Sequence, residues 1–241
     1  NNRVIFSILF FLYCLKFSDT MKQIVIAIFA TLLYLVSIEL LVSWVFIALA
    51  FEIGGYEIYF QFIQGLLQLS FVILFIYIIR QKTLKNLISK TEYKWYLLGF
   101  FLGITFVFIQ TPLNWGYNYI FSSEYNITYD FDGFPAFFNL NIIPIIFFLP
   151  ITEELFFRGF IQNYLQKNIN PILSIFIAAI LFALIHAPFL NLFSEWSNQD
   201  WHLFYITLFG GAISGILYFK SKSIGPSIVF HIFWNVMVYV A

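Results

Sequence analysis

The chain has 241 residues with 12 basic and 12 acidic side chains, so its formal charge is zero and it lacks the basic surplus that nucleic-acid binding requires. Hydrophobic residues make up 61% and charged ones only 10%, far from the roughly one-quarter charged content of soluble domains, which points away from an ordinary water-soluble enzyme. Aromatic residues reach 23%, more rings than a soluble core of this size can hide, and the lone Cys14 can form neither an internal disulfide nor a cysteine metal cage.

A bilayer core of about 30 Å needs about 20 mostly apolar residues per helix. Apolar runs lie at about 4–16, 24–51, 58–79, 95–113, 137–166, 171–189, 203–219 and 224–241. They predict an all-α polytopic membrane protein of about eight transmembrane helices, or seven if the short first run does not span. Lys16 and Lys22, then Arg80, Lys82, Lys85, Lys90 and Lys94, then Lys167, then Lys220 and Lys222 fall in alternate loops. Basic residues collect in cytoplasmic loops, so these loops share the inner side and both chain ends lie outside. The intervening loops carry Glu52, Glu57, Glu124, Asp130, Asp132, Glu195 and Asp200. The polar segment 114–136 reads as an external loop between N-terminal transmembrane helices (1–113) and a C-terminal helical core (137–241) that holds the catalytic group.

The ionisable residues left inside the spans are Glu39, Glu153, Glu154, Arg158, His186 and His231. Such groups cost a few kcal/mol or more in hydrocarbon and therefore pair with one another or face a polar cavity. Glu39 has no identifiable partner; it faces the site, snorkels or meets a helix terminus. Pro150 breaks the helix just before Glu153 and Glu154, and Arg158 follows Glu154 by four residues, so those two share a face and neutralise each other. Glu153 points about 100° away from that pair. It is left to accept a proton or to polarise water. The competing reading is one buried charge cluster tying helices together, which accounts poorly for a second carboxylate without its own cation.

His186 sits late in the next apolar run, with Phe182 one turn earlier on the same face. His231 and Asn235 share a face in the last run, where interhelical hydrogen bonding is the alternative role. At about 1.5 Å per residue, Glu153 lies roughly 20 Å from the basic end near Lys167, and His186 roughly 20 Å from its own start near Pro171. His231 and Asn235 lie roughly 10 to 15 Å from theirs, so the four positions converge in one layer.

A carboxylate, two imidazoles and a carboxamide suit amide hydrolysis. Glu153 with His186 would activate water, while His231 and Asn235 would donate to the oxyanion. The same Glu153, His186 and His231 could instead hold a catalytic Zn²⁺. There is no His-Glu-x-x-His helix, and Asn235 fits an oxyanion role better than a zinc ligand.

The blocks Glu153-Glu154-x-x-x-Arg158, Phe182-x-x-x-His186 and His231-x-x-x-Asn235, in this order from about residue 140 to the C-terminus, resemble the CAAX-processing and bacteriocin-processing (CPBP, or Abi) family, which includes the eukaryotic Ras-converting enzyme. The resemblance implies an eight-helix intramembrane endopeptidase. In it Glu153 is the general base, His186 stands beside the water, and His231 and Asn235 form the oxyanion hole, with Glu154, Arg158 and Phe182 in support. It implies a membrane-anchored peptide or protein as substrate, held in the lipid bilayer. Family members are described either as metallopeptidases or as metal-free glutamate enzymes; the cofactor is open, and the metal-free description is preferred to Zn²⁺. The heavy use of Phe, Ile, Asn, Tyr and Lys suggests an AT-rich genome and a bacterial cytoplasmic membrane. The rivals are a proton- or ion-coupled transporter that needs the same carboxylates for flux, and a non-catalytic immunity or scaffold protein.

Overall fold

The computed structural model describes residues 19–37, 57–79, 87–125, 142–186 and 198–240, and its regular structure there is entirely helical. The helices are α1 (Asp19–Leu35), α2 (Glu57–Ile79), α3 (Tyr93–Phe121), a composite α4, α5 (Pro171–His186), α6 (Asn198–Ser221) and α7 (Gly225–Val240). Helix α4 joins a π-helical Pro144–Phe148, an α-helical Leu149–Glu154, a second π-helical Leu155–Gln162 and a final turn Asn163–Leu165. The short first apolar run, Cys14, Glu39, the basic residues Lys16, Arg80, Lys82 and Lys85, and the loop from 126 to 136 lie outside the described residues. Helix α3 runs on to Phe121, past the expected loop start at 114.

The expectation of about eight transmembrane helices is corrected here. Among the described residues, two helices are long and apolar enough to cross a bilayer, Tyr93–Phe121 and Trp201–Ser221. Three more, Phe62–Ile78, Pro171–His186 and Gly225–Val240, are apolar but shorter. The reason is geometric. Helices α5 and α7 have 16 residues each, about 24 Å of rise, short of the about 30 Å of a bilayer core. The run at 137–166 is interrupted by two π-helical stretches and carries Glu153, Glu154 and Arg158 in its middle.

The second π-helical stretch of α4 occupies the centre of the bundle. Every residue of Leu155–Gln162 is buried. Rings close around it on several sides: Tyr34 of α1 stacks on Phe156 at 4.2 Å, Phe75 of α2 meets Phe160 edge-on at 5.2 Å, and Phe182 of α5 meets Phe157 at 5.4 Å. Such edge and offset contacts add to the burial of large rings.

Helices α3 and α7 touch backbone to backbone. A Cβ at Gly99 would lie 2.4 Å from the carbonyl oxygen of Pro226, and one at Gly103 would lie 2.5 Å from that of Phe230. Gly99 and Gly103 thus form a small-residue stripe of the kind that lets apolar helices approach closely. That approach fixes α7, and with it His231 and Asn235, against the bundle. Helix α3 ends with Ser122 in the left-handed conformation at φ 52, its N–H donating to the carbonyl of Asn118. The Asn118 side chain then holds the backbone N–H and carbonyl of Tyr125, both at 2.9 Å.

Candidate active site

Helix α4 carries the acidic core of the site. Glu154 and Arg158, one turn apart, pair at 3.2 Å from Oε2 to Nε, with both side chains essentially inaccessible. The carboxylate is further held by the Ser214 hydroxyl, which donates to Oε2 at 2.7 Å, and by His231 Nδ1, 3.1 Å from Oε1. Arg158 Nη2 donates to the carbonyl of Gly211 at 2.9 Å, and Gln162, one turn on, donates to that of Gly215 at 2.9 Å. Two donors four apart on α4 thus meet two carbonyls four apart on α6. The glycines leave those carbonyls open to approach. The Phe182 ring lies 4.6 Å from the Arg158 guanidinium, a cation–π contact shielded from water.

Glu153, 3% exposed, faces elsewhere, as the 100° offset required. Its Oε1 lies 3.7 Å from His186 Nε2, and its Oε2 lies 3.6 Å from His231 Nε2. One carboxylate thus stands between two imidazoles on two other helices. The remaining ring nitrogens are committed. His186 Nδ1 is 2.9 Å from the carbonyl of Phe182, and a carbonyl only accepts, so Nδ1 carries the proton. His231 Nδ1 likewise donates to the Glu154 carboxylate. In the neutral rings both Nε2 atoms are therefore acceptors turned toward an acceptor carboxylate. At 3.6 to 3.7 Å these pairs are too long for direct hydrogen bonds, and the spacing suits a bridging proton donor such as water.

Asn235 is oriented by a local defect in α4. The N–H of Leu149 bonds the carbonyl of Pro144, and Pro150 has no N–H. The carbonyl of Ile145 is consequently open to a side-chain donor, and Asn235 Nδ2 reaches it at 3.0 Å. One amide hydrogen is used there; the other remains for a ligand. Glu153, His186, His231 and Asn235 line one cavity of about 320 Å³, whose apolar walls include Leu149, Leu203, Ile206 and Val238.

The structure thus brings together all seven residues singled out by sequence, with Glu154, Arg158 and Phe182 behind the cavity and the other four lining it. Four partners escaped the sequence reading. Ser214, Gly211 and Gly215 of α6 give no polar periodicity, and His202 stands just before the apolar run at 203–219. His202 lines the same cavity, bonds Asn114 Oδ1 through Nε2 at 2.6 Å and stacks on Tyr125 at 4.1 Å. Among the described residues, no group of three or more His, Cys, Asp and Glu side chains is arranged to hold a metal ion.

Residues 135–237 match the family model described as Type II CAAX prenyl endopeptidase Rce1-like. An Rce1-like domain of the CAAX-protease and CPBP superfamily is thus matched over the C-terminal part of the chain, where the three sequence blocks had placed the resemblance. No curated protein and no solved structure matches the chain. The Rce1-like match and the buried cluster of Glu153, Glu154 and His231 together support a protease-like site.

Proposed function

We propose that this protein is a membrane endopeptidase that hydrolyses a peptide bond of a membrane-associated protein or peptide by a metal-free glutamate mechanism. The observation that carries the proposal is Glu153, buried between the Nε2 atoms of His186 and His231 on the wall of a cavity.

Water held between Glu153 and His186 Nε2 attacks the scissile carbonyl as Glu153 takes its proton. The oxyanion accepts the second amide hydrogen of Asn235 and a proton on His231 Nε2. His231 already donates through Nδ1 to Glu154, so this role needs the imidazolium form. Collapse of the intermediate expels the amine, which takes the proton from Glu153. The cavity, about 320 Å³, is at the small end of ligand sites of roughly 300–1,000 Å³ and suits a short extended segment of peptide.

The test is cleavage of a membrane-anchored peptide library by the purified chain, with products identified by mass spectrometry. Defined cuts that are absent in Asn235→Ala and persist in a strong chelator support the proposal. Loss of cleavage on chelation would refute the metal-free mechanism. Absence of cutting, together with Glu153-dependent flux in proteoliposomes, would overturn the enzyme assignment.

A further inference from the structure

A second groove, of about 380 Å³, is lined by Asn163, Gln166, Lys167, Tyr218, Phe219 and Lys222. It shares no lining residue with the active-site cavity. It lies where the last turn of α4 and the chain after it meet the end of α6 and the following turn. We propose that this groove binds a phosphate-bearing anion.

The polar lining is dominated by donors. Asn163 is 9% exposed, and its Nδ2 is buried without a hydrogen-bond partner; Gln166 Nε2 is in the same condition. A buried amide left unsatisfied costs about 1–3 kcal/mol, so two of them beside one groove call for an acceptor in it. Lys167 and Lys222 add two ammonium groups, and the lining contains no Asp or Glu. The Lys222 ammonium rests 4.0 Å from the Phe219 ring, which holds that flexible side chain at the groove.

The ends of α4 and α6 oppose an anion, because a helix C-terminus carries about half a negative charge. Two such ends amount to about one negative charge, and two lysines exceed it. A carboxylate offers two oxygens and one charge. Phosphate offers at least three acceptor oxygens and up to two charges, which match two amide donors and two cations arriving from separate segments. Helix α6 contains the apolar stretch Trp201–Ser221, and Lys222 follows it directly. A phosphate at this level belongs either to a phospholipid headgroup or to a free soluble ion; the recognition chemistry is the same.

The experiment uses the full chain in two arms. Delipidated protein in detergent is titrated with radiolabelled inorganic phosphate, and protein in nanodiscs of phosphatidylcholine is titrated with phosphatidylglycerol, with bound lipid counted by native mass spectrometry. Asn163→Asp, Lys222→Met and Lys222→Arg are run beside the parent, with melting temperature as the folding control. The inference expects binding in at least one arm, lowered tenfold or more by Asn163→Asp and Lys222→Met and kept by Lys222→Arg. Binding in the first arm identifies a soluble phosphate, and binding in the second alone identifies a lipid. Equal binding by parent and both weakening variants, or none in either arm, would overturn it. The outcome is independent of whether the chain is a protease.

Discussion

Glu153 and Glu154 are chemically identical neighbours with opposite surroundings. Glu154 is held by a guanidinium, a hydroxyl and an imidazole, whereas Glu153 faces two ring nitrogens across gaps that suit water. The division predicts different mutational phenotypes. Arg158→Leu leaves the Glu154 carboxylate buried beside one imidazole and should cost about 3–5 kcal/mol of stability, read as a lowered melting temperature. Asn235→Ala removes an oxyanion donor, so kcat should fall by about 10²–10³ with KM little changed, as measured by steady-state cleavage. A parallel rise in KM would instead place Asn235 in substrate binding. The pairing of Glu154 with Arg158 was legible in sequence from their spacing of four. The bond from Glu154 to His231 was not, since it joins helices separated by 77 positions in the chain.

At the scale of elements, defects in regular helix position the site. Pro150 withholds the donor that Ile145's carbonyl would otherwise receive, and Asn235 fills the gap. Pro150→Ala should therefore raise the melting temperature, because proline inside a helix is unfavourable by about 3 kcal/mol, yet lower kcat as a backbone N–H competes with Asn235. Unchanged kcat would show that the defect does not orient the carboxamide. Gly103→Leu should push α7 off α3 and cost at least about 1–3 kcal/mol, with loss of the folded species on size-exclusion chromatography if the helices cannot readjust. That Pro150 withholds a backbone donor could be read from the chain alone, but the helix runs on through it instead of breaking. The π-helical turns could not, because they depend on packing around α4 rather than on local composition. Gly99 and Gly103 also stand at a recognisable spacing, but which helix they meet is a tertiary fact.

For the whole molecule, composition signalled apolar surroundings, and the structure agrees in leaving large apolar side chains exposed, among them Tyr119 at 91%, Ile172 at 77% and Ile78 at 67%. A surface of this kind needs a cover. Hydropathy overcounted the spans because an apolar run includes residues that the fold uses for turns, kinks and charge pairs, as in 137–166. Expressed protein should stay with the membrane pellet through alkaline carbonate extraction and leave it only in detergent; release by carbonate would contradict lipid-facing helices. The convergence of four polar residues was foreseeable because rise per residue sets depth. The carbonyls of Ile145, Phe182 and Gly211, which meet Asn235, His186 and Arg158, were hidden because main-chain acceptors have no sequence signature.

The central claim is that Glu153 activates the attacking water, and single-turnover cleavage of a membrane-anchored peptide by parent and Glu153→Gln protein in nanodiscs tests it most directly. Gln has nearly the same shape but cannot accept the proton, so the account predicts a rate reduced by at least about 10²-fold at unchanged melting temperature and unchanged peptide binding. A Glu153→Gln protein that cleaves at the parent rate would contradict it.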